Sequence, residues 1–346
     1  MMTLRMTDQG LACEAGGFDI DPRTPVARAV ITHAHADHVV RGCGAYLAAR
    51  EGAHVLRSRL GNDALVRFVE YGESVVLDGI RLSLHPAGHI LGSAQVRVEH
   101  RGRVTVFSGD YKLQPDPTCS PFEPLRCHCF ITESTFGLPV YRWDDPAQVL
   151  AGIRAWWRSN REAGRASVLF AYVLGKAQRV LAGLDPAIGP IFTHASVEEM
   201  NRRYRMSGVG LPNTAAVEAA GRKADFGRAL ILAPPSARRT SWMKTFGECS
   251  TALVSGWMRL RGMRRRRGVD RGFALSDHAD WPGLMEAVAA TGAGEVLVTH
   301  GYVDPVVRML REKGLDAKPL TAKPAEDETT EDRPPRALGP QAWEFP

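Results

Sequence analysis

Residues 33–38 read His33-Ala34-His35-Ala36-Asp37-His38, and they follow an apolar segment at 26–31. This pattern predicts a buried strand that ends in a loop rich in potential metal ligands. Neutral imidazoles bind a borderline-soft cation such as zinc, and carboxylates complete or bridge the set. Because packing three histidines and an aspartate at a strand end without a cation is costly, the cluster indicates a metal site.

Three more candidate ligands lie where an apolar run meets a glycine-bounded turn. They are His89 in the turn 88–93, Asp110 after Ser108-Gly109, and His300 between Thr299 and Gly301. Taken alone, His89 or Asp110 could equally be structural, but their place in this series favours a role as metal ligands. Together with 33–38 the chain offers more ligands than one tetrahedral cation needs, which indicates two cations.

Composition sets the broad class of the protein. The chain has 346 residues, of which 44% are hydrophobic, enough for one large domain or two modest ones. The sequence has no apolar run long enough to span a membrane, and its first residues do not resemble an export signal. The six cysteines fit no disulfide framework, and Cys127-His128-Cys129 is too tight for a zinc pair. We therefore expect a cytoplasmic protein that is not bound to membranes.

Basic residues indicate an anionic partner. The net charge is +6, and arginines concentrate at 259–271. Such a run can follow a phosphate backbone, although it could also be a solvated loop. A predicted helix start near Gly175 favours anions, and a lysine lies two residues after Asp110. Exposed structural positions remain the alternative for these residues. The candidate phosphate contacts are Lys112, Lys176, Arg179, Arg264, Arg265, Arg266 and Arg267.

The pattern along the chain predicts two interleaved modules. The first third is β-rich, with predicted strands at 27–32, 74–77, 80–85, 94–99 and 103–108. From about residue 140, strands alternate with helices, which is typical of a parallel sheet covered by helices. We predict a first module made of 1–139 and 257–320, an inserted module at 140–256, and a disordered Pro-rich acidic tail at 321–346.

The motifs together resemble a known family. The cluster 33–38 with His89, Asp110 and His300 resembles the metallo-β-lactamase superfamily. Glu133-Ser134-Thr135-Phe136-Gly137 and Ser276-Asp277-His278-Ala279-Asp280 resemble signatures of its β-CASP nuclease branch. Within that branch, segments such as Gly109-Asp110-Tyr111-Lys112 are most similar to the bacterial ligase-associated DNA exonucleases, which are also labelled mRNA 3′-end processing factors.

This resemblance implies an α/β fold, namely an αββα sandwich with an inserted Rossmann-like β-CASP domain. It also implies two divalent ions, zinc foremost and manganese as an alternative. The first would be held by His33, His35 and His89, the second by Asp37, His38 and His300, with Asp110 bridging both. His278 would donate a proton to the leaving oxygen and Glu133 would hold His278, so that the catalytic set is Asp37, Asp110, Glu133 and His278.

The implied activity is phosphodiester hydrolysis of nucleic acid, most readily by a DNA exonuclease in repair. Its partners would then be an ATP-dependent DNA ligase and a helicase. The alternative is an RNA 3′-end processing endo- or exonuclease, which the histidine at position 300 favours. A small-molecule metallo-hydrolase is a weaker alternative, because it would need neither the inserted module nor the arginine run. A binding module with a decayed site is disfavoured by the intact ligand set.

Overall fold

The computed structural model describes residues 4–221, 224–260 and 262–320, and the predicted tail 321–346 lies outside these residues. The fold is mixed α/β, which confirms the predicted class. Its strands are β1 (Arg5–Thr7), β2 (Gly10–Cys13), β3 (Phe18–Ile20), β4 (Arg28–Val30), β5 (Ala45–Ala49), β6 (Val66–Val69), β7 (Ser74–Leu77), β8 (Ile80–Pro86), β9 (Ala94–His100), β10 (Arg103–Phe107), β11 (Cys129–Ser134), β12 (Ala166–Phe170), β13 (Ile191–Thr193), β14 (Ala215–Ala216), β15 (Leu230–Ala233), β16 (Cys249–Val254), β17 (Arg271–Phe273), β18 (Glu295–Gly301) and β19 (Asp316–Pro319).

One α-helix follows β5, and the other α-helices of the described residues connect strands between β11 and β19. They are α1 (Ala53–Leu60), α2 (Pro146–Glu162), α3 (Lys176–Ala182), α4 (Ala195–Met206), α5 (Met263–Arg267), α6 (Trp281–Thr291) and α7 (Val303–Glu312). The start of α2 shows how the sequence sets a helix end. The Asp145 carboxylate accepts a hydrogen bond from Ala147 N, and Pro146 occupies the first turn, where its missing N–H is no loss.

The first structural unit contains the described residues of Met1–Leu113, Ser120–Leu138 and Trp281–Pro346. One of its sheets has the order β1-β2-β3-β4-β5-β6, and the other has the order β19-β18-β11-β10-β9-β8-β7. Strand β7 alternates buried Val75 and Leu77 with exposed neighbours, so only one of its faces meets the core. Apolar residues of both sheets form one buried cluster, and the two sheets therefore pack face to face.

The second unit contains Gln114–Cys119 and Pro139–Asp280. Its sheet has the order β14-β13-β15-β12-β16-β17, and every strand pair is parallel. All residues of β12 are buried, as expected for a parallel strand covered on both faces. Leu169 belongs to one apolar cluster, whereas Val168 and Phe170 belong to another, so each face of the sheet has its own core.

The structural division differs from the sequence-based one at two places. Residues 257–280 were assigned to the first module, but β17 pairs in parallel with β16 and therefore belongs to the second unit's sheet. Gln114–Cys119 also belongs to the second unit, because Arg179 contacts Asp116 and Pro115 of this segment.

The strands predicted at 74–77, 80–85, 94–99 and 103–108 agree closely with β7 to β10. In the described part of the chain, the helices are too short or too polar to cross a bilayer.

Two glycines bring two loops of the first unit into backbone contact. Gly92 has φ +75°, and a Cβ at this position would lie 2.1 Å from Gly52 Cα. Only glycine satisfies both the left-handed backbone and this approach. The contact fixes the loop that carries His89 against the start of α1. It is reinforced by Glu51, whose carboxylate accepts hydrogen bonds from Gly92 N at 3.0 Å and Ser120 Oγ at 2.7 Å.

We predict that Gly92→Ala destabilises the protein by about 2–5 kcal/mol, because backbone strain and overpacking add. Gly79→Ala is the matched control, since Gly79 has φ +80° with nothing within 4 Å of its would-be Cβ. The control isolates the conformational cost of about 1–2 kcal/mol. Urea unfolding of both variants measures the difference. Equal losses would mean that the Gly52–Gly92 contact contributes nothing.

A buried ion-pair network lies in the second unit. Lys176 Nζ donates to Asp277 Oδ2 at 2.7 Å, and Arg179 lies 3.4 Å from Asp277 Oδ1 and 3.6 Å from Asp116 Oδ2. Arg179 also donates to the Ser276 carbonyl. The sequence suggests that Lys176 and Arg179 bind a substrate phosphate at a helix start, with a plain exposed helix end as the alternative. The structure instead buries them at 6% and 2% exposure and engages both with carboxylates.

We predict that Lys176→Met destabilises the second unit by roughly 3 kcal/mol, because it removes one partner of a buried ion pair. Lys244→Met, at an exposed position of the same unit, should change stability by less than about 0.5 kcal/mol. Thermal unfolding of both variants tests the expectation. A Lys176 variant as stable as the Lys244 control would show that the pair does not support the fold.

Candidate metal centre

The histidine cluster begins directly beyond β4, at the edge where that strand ends. Thr32 lies between strand and cluster, and its N and Oγ1 donate to the Asp21 carboxylate at 2.8 and 2.5 Å. Thr32 Oγ1 also lies 3.0 Å from His33 Nδ1. His33 is buried, and this contact orients its ring so that Nε2 points away from Thr32. The backbone and one hydroxyl thus position the first histidine.

Four donor atoms converge beside His33. His33 Nε2 lies 3.0 Å from His35 Nδ1, and His89 Nε2 lies 3.1 Å from the same atom. Asp110 Oδ2 lies 3.6 Å from His33 Nε2 and 3.7 Å from His89 Nε2. Ligands bound to one tetrahedral zinc at roughly 2.0–2.1 Å would be about 3.3 Å apart. The observed separations bracket that value, so these four residues could hold one divalent cation.

The loop that carries His89 is held by buried polar contacts. Ser93 Oγ accepts hydrogen bonds from His89 N at 3.0 Å and Ile90 N at 3.2 Å. Lys112 Nζ donates to the carbonyl of His89 at 2.9 Å and to that of Gly88. The sequence suggests that Lys112 contacts substrate phosphate, with a surface lysine as the alternative. It is 1% exposed and bonded to these carbonyls, so its observed role is to position the His89 loop.

Asp110 connects the cluster to a second group of donors. It follows β10, and its Oδ2 lies 3.5 Å from His38 Nε2 as well as near His33 and His89. One carboxylate oxygen is therefore almost equidistant from three imidazole nitrogens. Asp37 Oδ2 lies 3.8 Å from the same His38 nitrogen, with an 81% exposed side chain. The Asp110 carboxylate is therefore placed where it could bridge two cations.

His38 is oriented by a residue that the sequence reasoning missed. Its Nδ1 lies 2.8 Å from Asp21 Oδ2, the oxygen that also accepts from Thr32. Burial alone would lower the pKa of His38, but the charges of Asp110 and Asp21 outweigh it and raise the pKa to about 10. Asp21 follows β3, which pairs in parallel with β4, so a carboxylate at this strand end could have been identified from the sequence.

His300 and Glu133 lie in the same unit at two neighbouring strands. His300, in β18, is exposed and has φ +53°, and its Nδ1 lies 3.1 Å from Thr299 Oγ1. In residues 4–221, 224–260 and 262–320, His300 joins none of the groups that bring ligand atoms together. Glu133 lies one residue before the end of β11 and is buried, and its carboxylate accepts hydrogen bonds from Tyr111 N at 3.0 Å and Thr135 N at 3.2 Å.

His278 and the arginine run belong to the second unit. His278 N donates to Ser276 Oγ at 3.1 Å, and Trp143 Nε1 donates to the His278 carbonyl at 2.9 Å. The backbone of the half-buried His278 is therefore fixed on both sides, next to the ion-paired Asp277. The arginines at 264–267 form most of α5, and the side chains at 265–267 are exposed.

Comparison with known proteins gives a consistent picture. A scan against protein-family models finds no match. The chain is 31% identical over 310 residues to a "Probable DNA ligase" of Opitutus terrae, which covers 89% of this chain and 30% of that protein. It therefore spans under a third of this relative. It is 32% identical over 124 residues to "Endoribonuclease ysh1" of Schizosaccharomyces pombe, covering 35% of this chain and 16% of that protein.

Two further comparisons each cover more than two thirds of the chain. "Endoribonuclease YSH1" of Kluyveromyces lactis is 19% identical over 306 residues, covering 70% of this chain and 39% of that protein. A crystal structure of a protein of unknown function from Enterococcus faecalis superposes with TM-score 0.55 at 11% identity, covering 78% and 74% of the two chains, and supports the fold alone. The predicted resemblance is confirmed, and the chain is a relative of the β-CASP nucleases within the metallo-β-lactamase superfamily.

Proposed function

We propose that this protein is a metal-dependent nuclease that hydrolyses phosphodiester bonds in nucleic acid. One observation carries the proposal: Asp110 Oδ2 lies 3.5–3.7 Å from the Nε2 atoms of His38, His33 and His89. Donors so arranged suit two neighbouring divalent cations that share one carboxylate. Imidazole-rich ligation favours zinc, and manganese is the alternative. The names of the relatives, a DNA ligase and endoribonucleases, support a nucleic-acid substrate.

The proposed ligands divide into two sets. His33, His35 and His89 would bind the first cation, and the set Asp37, His38 and His300 would bind the second. Asp110 would belong to both sets and fix their separation. Asp37 and His300 have exposed side chains, which leaves them free to turn toward a cation. Two such cations supply a more acidic water and neutralise the charge that builds on a phosphate during hydrolysis.

The chain's own residues would then complete the reaction. Thr32 and Asp21 orient His33 and His38 through their second ring nitrogens, which keeps each Nε2 directed at its cation. His278 would donate a proton to the leaving oxygen, or hydrogen-bond a phosphoryl oxygen as charge builds. Glu133 would hold the ring of His278 in its protonated form. These two assignments follow from the signatures that include Glu133 and His278.

We further propose that DNA is the substrate, with exonucleolytic action in repair beside an ATP-dependent DNA ligase and a helicase. The match to the "Probable DNA ligase" covers 89% of this chain, whereas the match to the fission yeast endoribonuclease covers 35%. RNA 3′-end processing is the second candidate, favoured by those endoribonuclease names and by His300. We also propose a cytoplasmic location, a reducing compartment in which cysteine side chains would remain thiols.

End-labelled DNA and RNA of matched sequence test the proposal, with and without chelator. We expect metal-dependent cleavage of DNA that exceeds cleavage of RNA, and product lengths will distinguish exo- from endonucleolytic action. Asp110→Ala should abolish cleavage and lower the bound metal measured by elemental analysis, because both cations lose a ligand. Asp63→Ala, at an exposed loop position, is the control and should retain both properties. Near-normal turnover by Asp110→Ala would contradict the shared-ligand role.

His278→Ala should retain metal but slow cleavage by ~10²–10⁴-fold, the usual contribution of a general acid. His100→Ala, at the end of β9, serves as the control for removing an imidazole elsewhere. Metal content and initial cleavage rate are measured on the same preparations. Loss of metal from the His278 variant would make His278 a ligand, and an unchanged rate would remove it from the mechanism.

A further inference from the structure

Four arginines from two separate segments of the second unit line one open cavity of about 500 Å³. Arg238 and Arg239 lie on the single-turn segment Pro235–Arg239, and Arg266 and Arg267 lie on α5. We call this feature the arginine cavity. Pro235, Ser236 and Met263 complete its lining. The arginine run at 264–267 is visible in the sequence, whereas the fold brings Arg238 and Arg239 next to it.

The positive charge of the arginine cavity is not compensated by carboxylates. Across 4–221, 224–260 and 262–320, none of the four arginines forms an ion pair, and the lining contains no acidic residue. Two cavities of comparable size in the same unit differ in this respect. One has Glu198 and Glu199 beside its arginines, and the other has Glu162 and Asp185. Of these three cavities, the arginine cavity is therefore the one whose lining contains arginines but no carboxylate.

The arginines also raise one another's electrostatic energy. The pKa of Arg238 is lowered by partial burial and by the positive charges of Arg239 and Arg267. Like charges gathered in this way repel one another, and a bound anion relieves the repulsion. A multiply charged anion in the cavity would be attracted by all of these charges at once.

The chemistry of the lining indicates which anion fits. Guanidinium groups present planar pairs of N–H donors that match the oxygens of a phosphate. Ser236 adds a hydroxyl, which also bonds phosphate oxygens. Four arginines around an open cavity suit several phosphates in succession better than a single small ion. A cation-rich surface of this kind contacts the backbone of a polynucleotide without reading its bases.

We infer that the arginine cavity is a binding site for the phosphodiester backbone of the nucleic-acid substrate, outside the metal centre. This inference rests on the proposed nuclease function and adds a place where substrate is held. Binding there would be largely independent of base sequence and strongly dependent on salt. It would operate without metal, since none of the proposed ligands takes part.

Fluorescence anisotropy of the full chain tests the site, with a short fluorescein-labelled single-stranded DNA and the RNA of the same sequence. EDTA is present, so that binding is measured without cleavage. The patch variant carries Arg239→Gln, Arg266→Gln and Arg267→Gln. Each lost phosphate contact should reduce the slope of log affinity against log salt by about 0.7, or roughly 2 for the three. At moderate salt the affinity should fall by about tenfold or more.

The matched control carries Arg158→Gln, Arg202→Gln and Arg203→Gln, which removes the same charge from the same unit. These arginines pair with Asp185 and Glu199, so they are less available to a phosphate. The control should keep the wild-type slope. Thermal unfolding of both variants verifies the fold. An equal loss of slope in both variants would attribute the effect to net charge and overturn the site. An unchanged slope in the patch variant would also overturn it.

The outcomes separate this site from the proposed activity. A patch variant with a reduced salt slope supports the arginine cavity whether or not the wild type cleaves. Wild-type cleavage with an unchanged patch-variant slope preserves the nuclease proposal and removes the cavity. Binding to vesicles of anionic phospholipid is measured for the same variants. If the patch variant binds these vesicles more weakly but binds both oligonucleotides as the wild type does, the cavity contacts a lipid surface and the inference is contradicted.

Discussion

The carboxylate of Asp21 accepts hydrogen bonds from two parts of the histidine cluster, and the geometry of the candidate metal centre depends on it. One oxygen accepts from Thr32 N, and the other meets Thr32 Oγ1 and His38 Nδ1. Thr32 in turn contacts the ring of His33. A single partly buried carboxylate thus sets the orientation of two imidazoles before any cation binds. Partners of this kind tune ligand direction as well as basicity.

Most residues of the candidate metal centre could be selected from the sequence because they are close in the chain or follow strands of obvious apolar pattern. Asp21 and Lys112 were harder to assign. Asp21 acts from a neighbouring strand, so its role depends on which strands pair. The sequence suggests a substrate contact or a surface position for Lys112, whereas the side chain is buried and its ammonium donates to a carbonyl of the His89 loop. Composition and spacing contain no information about such contacts.

The inserted unit shows the same limit for charged residues. Lys176 and Arg179 begin a helix, a position that suits phosphate, and the sequence gives no sign of the carboxylates that face them. Asp277 is about a hundred positions away and Asp116 lies in a segment separated from the rest of the unit. The same distance effect misplaced residues 257–280, since β17 is assigned only by pairing with β16. The arginine cavity differs because, within the described ranges of the chain, no carboxylate pairs with its four arginines.

The position of β18 has a consequence for folding. It pairs with β11 on one side and with β19 on the other, so the second sheet of the first unit is completed by the last described part of the chain. The whole of Pro139–Asp280 intervenes, and it builds its own sheet and its own cores. During synthesis on the ribosome, the inserted unit can therefore form before its host is complete. Closing so long a loop costs chain entropy, and a compact, already folded insert shortens the flexible path between its ends.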